Sequence, residues 1–171
     1  MENLETHRLI LRLPTEDDAA FIQSLYNTDG FLRFVGDKQI RNRSDATEYI
    51  RNNILAMRRE KSVCLLIVEN KSDSEPLGVC GLIKRDDLEA YDIGYGFMPA
   101  SHGQGYGLEA GQAIIKYAQQ RRDIDELVAI TSSDNEGSKA LLNRLGFTYV
   151  KVQNQISDKV DLLLYQLSFT D

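Results

Sequence analysis

The chain has 171 residues, 42% of them hydrophobic and 27% charged, with a formal net charge of −6. That length suits one domain over residues 1–171 with room for a real core, and the acidic balance speaks against nucleic acid as a partner, which would ask for a basic patch. No apolar run approaches the ~20 residues of a membrane span, and Glu2, Glu5 and Arg8 around single apolar residues make no signal peptide, so no membrane partner and a cytoplasmic location are expected.

Residues 7–13 alternate briefly, become an apolar cluster and stop at Pro14, the pattern of a first strand. Thr15 then stands where a helix cap is wanted, with acids in the first turn. Ala19, Ile22 and Tyr26 follow at helical spacing, and Asp29-Gly30 reads as the stop. Ser44 can cap a second helix through about residue 60, its stripe including Tyr49, Ile50, Ile54 and Met57. The loop between these helices, with Phe31, Phe34, Val35 and Gly36, is more apolar than solvent alone requires.

Residues 62–69, 77–84 and 90–98 are joined by short polar connections and read as an antiparallel meander. In the third strand Tyr91, Ile93, Tyr95 and Phe97 share one face, and Asp92, Gly94, Gly96 and Met98 the other. Two glycines on one face weaken a strand and either open a slot along it or mark a bulge. Cys64 and Cys80 sit in apolar, strand-like runs without metal or redox spacing and read as buried thiols.

Residues 99–110 then pass through glycines at 103, 105 and 107 into a helix expected over 107–121. A helix start carries backbone N–H groups without intrahelical partners and a partial positive charge, so a turn free of side-chain bulk lets a phosphate approach them. A tight turn that needs glycine for positive φ is the alternative reading. The spacing fits neither a P-loop, which needs Gly-Lys-Ser/Thr, nor a dinucleotide fingerprint, Gly-x-Gly-x-x-Gly. Residues 127–131 form a short buried strand parallel to the one before the helix, the crossover being right-handed. A helix follows Asn135 and ends at Gly146, and residues 147–152 and 161–169 close as a hairpin. Ser138, Leu141, Leu142 and Leu145 stand at i, i+3, i+4 and i+7, which turns Ser138 toward the apolar face.

His102-Gly-Gln-Gly105-Tyr-Gly107-Leu-Glu-Ala resembles motif A of the GNAT superfamily of acetyl-CoA-dependent N-acetyltransferases, Gln/Arg-x-x-Gly-x-Gly/Ala, with His102 in place of the first residue. The segment from Asn135 through Ser138 to Gly146-Phe147 resembles the family's Asn-x-x-Ser/Ala…Gly-Phe run in its RimJ/RimL-like form, and Thr6 to Arg12 and Asp161 to Tyr165 look like the same branch. The resemblance spans nearly the whole chain. It implies an α+β, three-layer fold with a mixed, mostly antiparallel sheet of about seven strands and helices on both faces. It also implies acetyl-CoA as cosubstrate, no metal and an amine acceptor.

By that resemblance Phe97 and Met98 lie along the pantetheine arm, while Gly103, Gln104, Gly105, Tyr106, Gly107 and Leu108 face the pyrophosphate. The early apolar loop either walls the acceptor pocket or packs on the core. Asn135 caps its helix, contacts the arm, or does both; Lys139 and Arg144 either meet phosphates or are solvated. Ser138 either permits close packing or protonates the departing thiolate, a task that many relatives give to a helix Tyr where this chain has Leu142. Asp92 is the best-placed carboxylate for a general base, a solvent-facing strand Asp being the alternative. The acceptor is then a protein N-terminus or a small amine such as a polyamine, amino acid or aminoglycoside, unless the chain is a sensor that binds acyl-CoA without turnover. Exposed strand edges leave room for a homodimer.

Overall fold

Period-two runs of Leu, Ile and Val become strands, and the stretches with apolar residues every three or four positions become helices, in the computed structural model, which describes residues 1–169. Strands β1 (Leu4–Glu5) and β2 (Leu9–Arg12) come first. Helices α1 (Ala19–Tyr26), α2 (Asp29–Phe34), α3 (Arg43–Tyr49) and α4 (Leu55–Lys61) follow, then β3 (Leu65–Asn70), β4 (Pro76–Ile83) and β5 (Tyr91–Phe97). The rest alternates: α5 (Tyr106–Gln119), β6 (Glu126–Ser132), α6 (Glu136–Arg144), β7 (Thr148–Ser157) and β8 (Val160–Ser168).

The strands form one sheet of eight, in the order β1-β2-β3-β4-β5-β6-β8-β7. Among the described residues only β5 and β6 run parallel, joined through α5; every other pair is antiparallel. The eighth strand, beyond the expected seven or so, is the two-residue β1. Helices cover both faces, as the neighbours of β5 show. On one face the Tyr95 hydroxyl meets Ser138 of α6, and a methyl group built on Gly107 of α5 would lie 3.7 Å from the Phe97 ring. On the other face, Gly96 looks onto the ring of Phe31 in α2. Between these layers Leu9, Leu11, Ile22, Leu66, Ile67, Leu82, Ile114 and Leu127 are wholly buried.

Polar residues anchor the first third of the chain. Asp18 accepts from the Thr15 amide and from both Nη atoms of Arg12, whose Nε bonds Glu69 of β3 at 2.7 Å. Burial alone would raise the Asp18 carboxyl, but the bonds from Arg12 and Thr15 outweigh it and hold the group below its ordinary range.

Local chemistry moved three expected boundaries. Asp29-Gly30 does not end a helix but begins one, because the Thr28 side chain accepts from the Phe31 amide and caps α2. Most of the expected loop 31–36 is therefore helical. The second helix is capped by Asn42, not Ser44, through a bond from the Asp45 amide. It is also interrupted by a π turn over Ile50–Ile54, which keeps Ile50 and Ile54 on the buried side. The last hairpin is longer than expected, turning only at Asp158-Lys159.

Glycines in the sheet differ in what they tolerate. A methyl group on Gly81 would lie 2.2 Å from the Cys64 carbonyl oxygen, whereas one on Gly30 would meet nothing within 4 Å. Gly81→Ala is expected to cost about 2 kcal/mol or more. Gly30→Ala should gain about 0.5 kcal/mol by restricting the unfolded chain. Urea unfolding of the two variants checks both signs.

Candidate active site

β5 and β6 are paired at two positions only, Tyr91 with Leu127 and Asp92 with Val128. Beyond them the strands diverge, and a cavity of about 630 Å³ opens between their C-terminal ends. Tyr95, Gly96 and Phe97 of β5 line one side and residues 134–138 with Leu141 the other. Phe31 and Phe34 of α2 and the following Val35 close it from one side, and Gly103, Gly105, Tyr106 and Gly107 of the glycine-rich turn from another. This is the open parallel-strand geometry in which α/β folds present ligand sites, at the carboxyl ends of the strands.

The turn is built for close approach. Gly103 and Gly105 have φ of +74° and +81°, a left-handed backbone that other residues adopt at a cost. Gly105 is the N-cap of α5, and no side chain of the described residues caps that helix end. The helix start at Tyr106 and Gly107 therefore borders the cavity with backbone N–H groups that no side chain of the described residues accepts, while Glu109 in the first turn is taken up by Thr6 and Arg8. The start of the turn is tied back by His102, whose Nε2–H donates to the Phe97 carbonyl at 3.0 Å. Gln104 ties it from within, its side-chain amide donating to the Ala100 carbonyl at 2.9 Å.

Deeper in the cavity, the hydroxyls of Tyr95 and Ser138 lie 2.7 Å apart, and either can donate. Ser138 thus spends its hydroxyl on a cavity partner rather than on its own helix. Burial pushes the Tyr95 phenol above its ordinary range despite the bond to Ser138, so Tyr95 keeps its proton at neutral pH. Asn135 caps α6 by accepting from the Ser138 amide at 3.1 Å and still lines the cavity. Across the mouth, Arg33 of α2 pairs with Asp134 at 3.0 Å.

The structure therefore gathers Phe97, Gly103, Gly105, Tyr106, Gly107, Asn135 and Ser138 around one cavity. It does not bring Met98, Gln104, Leu108, Lys139 or Asp92 to the lining. Met98 and Leu108 pack on the core. The Lys139 ammonium pairs with Glu136 at 2.7 Å. Nor is there an open slot at Gly94: a methyl there would meet Ile83 at 2.8 Å and Leu65 at 3.1 Å.

Asp92 departs most from expectation. It is 2% exposed, at the point where β5 and β6 part, and accepts from Arg85 Nε at 2.7 Å. Neither solvent nor the cavity lining holds it. Sequence reasoning missed Tyr95 as a functional residue; alternation gave its face, but no spacing signals a partner 43 residues away.

Residues 8–148 match the Acetyltransferase (GNAT) domain. The chain belongs to the GNAT acetyltransferases, and its enzyme class is N-acetyltransferase. An uncharacterized N-acetyltransferase of Bacillus subtilis, YoaA, is 28% identical over 146 residues, covering 84% of this chain and 81% of that protein. Two solved structures share the fold: RimL, a ribosomal-protein alpha-N-acetyltransferase in complex with coenzyme A, and MccE, a microcin C7 self-immunity acetyltransferase in complex with acetyl-CoA and AMP. RimL superposes with a TM-score of 0.86 at 19% identity, covering 98% of both chains; for MccE the TM-score is 0.82 at 22% identity, covering 96% of this chain and 94% of the other. No helix of the described residues is long and apolar enough to cross a membrane.

Asp92 gives the stability of the fold a pH signature. Burial pushes its carboxyl up to about 6, against the opposing pull of Arg85. The folded value lies above the ordinary 3.8, so the protonated group adds stability at acid pH, and that contribution is lost as the pH rises through 6. Relative to the parent, Asp92→Asn should therefore gain stability between about pH 4 and about pH 7. Urea unfolding of both proteins across that range checks it; a pH-independent difference would return Asp92 to an ordinary value.

Proposed function

We propose that this protein is an acetyl-CoA-dependent N-acetyltransferase that acts by direct attack of a neutral amine, with a peptide or protein N-terminal α-amino group as acceptor. We read it as one domain over residues 1–171. We place it in the cytoplasm, a reading supported by two cysteines that are buried and unpaired. The observation that carries the proposal is the cavity itself, with the uncapped start of α5 at one end and the Tyr95–Ser138 pair within it.

The residues present fit the cosubstrate. Gly105, Tyr106 and Gly107 would receive its pyrophosphate on backbone N–H groups, each charge-assisted bond being worth roughly 1.5–3 kcal/mol. Phe97 and Asn135 border the path of the pantetheine arm. Once bound, acetyl-CoA supplies an activated thioester carbonyl. Ser138, backed by Tyr95, would give its proton to the leaving sulfur as the new C–N bond forms and the C–S bond breaks, and the proton that the attacking nitrogen loses as it becomes an amide would restore the serine hydroxyl. Neither cysteine competes as a nucleophile: burial pushes Cys64 up to about 11 and Cys80 up to about 12, far from thiolate formation at neutral pH.

The ionisable groups on the lining support that acceptor class; one of them, His102, has its Nε2–H engaged by the Phe97 carbonyl. An alkyl ammonium of pKa near 10.4 costs about 4.6 kcal/mol to neutralise at pH 7, while an α-amino group near 7.8 costs about 1 kcal/mol. The carboxylates on the lining are Asp134, already paired with Arg33 across the mouth, and Glu136, paired with Lys139. Asp92 does not reach the lining and is engaged by Arg85. A site without a buried base suits the amine that hardly needs one.

Two substitutions separate binding from turnover. Gly105→Val should abolish acetyl-CoA binding in calorimetry, because it forces a side chain onto a left-handed backbone and toward the phosphate approach. Ser138→Ala should bind acetyl-CoA normally and lose about a hundredfold in turnover with peptide acceptors, followed by release of free thiol. Normal binding by Gly105→Val would sink the phosphate-site assignment. Turnover of polyamines in preference to peptides would move the acceptor to small amines.

A further inference from the structure

One motif lies outside the cavity and plays no part in the chemistry above: the Thr6-His7-Arg8 segment that leads into β2. Its side chains converge on Glu109 in the first turn of α5. Glu109 accepts from the Thr6 hydroxyl, the Arg8 amide and Arg8 Nε, each at 2.7 Å. Burial works against this carboxylate, but those bonds prevail and hold it below its ordinary range, so it stays charged. Arg8 then reaches onward. Its Nη1 donates to the Gln104 carbonyl at 2.9 Å, its guanidinium lies over the Tyr106 ring at 4.5 Å, and its Nη2 would be 3.3 Å from a methyl group on Gly105.

The consequence comes from peptide planarity. In a trans peptide the carbonyl of one residue and the N–H of the next point in opposite directions. Arg8 borders a separate hollow with His7 and Lys71, whereas Gly105 lines the main cavity. Holding the Gln104 carbonyl toward Arg8 therefore turns the Gly105 N–H away from Arg8, to the cavity side. Glycine at 105 offers no side-chain barrier to a flip of this peptide, so an external hold on its carbonyl has an effect that the turn cannot supply alone.

We propose that Arg8, fixed by Glu109 and Thr6, is a positioning residue that sets the Gln104–Gly105 peptide so that its N–H faces the pyrophosphate of the cosubstrate. This rests on the acetyl-CoA reading above. A guanidinium suits the task because it serves the Glu109 carboxylate and the Gln104 carbonyl at once from a rigid fork, which an ammonium cannot do in the same geometry.

The test is an amide NMR titration of ¹⁵N-labelled protein, parent, Arg8→Met and Arg8→Lys, with acetyl-CoA and with S-acetylpantetheine, which lacks the pyrophosphate. We expect Arg8→Met to weaken acetyl-CoA about tenfold or more, the loss of one charge-assisted bond, and to leave S-acetylpantetheine affinity unchanged. The downfield shift of the Gly105 amide on saturation with acetyl-CoA should shrink in the same variant. Arg8→Lys keeps the charge and should still weaken acetyl-CoA several-fold; full affinity in this variant would make the effect one of charge and overturn the positioning role. Equal losses for both ligands, or none for acetyl-CoA, would also overturn it. Should Arg8→Met not fold, Arg8→Lys decides by the same comparison. A folded parent that binds no acetyl-CoA would instead overturn the functional reading, and this proposal with it.

Discussion

The site depends on one interruption in the sheet. Among the described residues β5 and β6 are the only parallel neighbours, and after two paired positions their pairing stops. Right-handed twist drives adjacent strands apart wherever the ladder does not hold them together. Here β6 is held on its other side by β8 through seven residues, from Glu126 to Ser132, so it cannot follow β5. The gap that results fixes the remaining geometry. It leaves Tyr95 and Phe97 with one flank free of a neighbouring strand and brings α5 and α6 to point their first turns at the same space. It also buries Asp92 where the strands part, against Arg85.

How much of this was legible depends on the range of the interaction. Period and punctuation revealed β5, α5, β6 and α6 within a residue or two, because alternation at Tyr91 to Phe97 and the stripe Ala110, Ile114, Ala118 are local properties. Caps were legible only where the capping residue had no rival: Asn135 was found, while Asn42 lost to Ser44 and Thr28 was hidden beside an apparent stop signal. The π turn at Ile50–Ile54 has no signature in a 3.6-residue pattern, since one inserted residue looks like an ordinary change of stripe. Face was legible and depth was not. Asp92 does lie on the glycine-bearing face, yet alternation could not say that β6 and Arg85 would seal it from solvent. The contacts of Tyr95 with Ser138 and of Arg8 with Glu109 cross 43 and 101 residues, beyond any spacing rule.

The two walls of the cavity are tied in unequal ways. Behind the turn, Arg8 donates two short bonds, from its amide and its Nε, to the Glu109 carboxylate in a partly buried setting. Across the mouth, Arg33 and Asp134 meet where the arginine is 65% exposed. A solvent-exposed pair of that kind contributes roughly 0–1 kcal/mol, so it aligns α2 with the start of α6 without locking them. The glycine-rich turn is thus tied by several partly buried bonds, and the α2 side by one exposed pair.

The strand order bears on synthesis as well. β8 lies between β6 and β7, so the later strand of the hairpin occupies the inner place. While the chain is being made, β6 has no hydrogen-bonding partner on that side until β8 has left the ribosome. Its apolar residues Leu127, Val128 and Ala129, buried in the finished sheet, wait beside an open edge. The α5 turn and its glycines emerge well before that, yet one wall of the cavity cannot be set until β8 docks. A nascent chain arrested within β7 would hold the glycine-rich turn without the finished cavity around it.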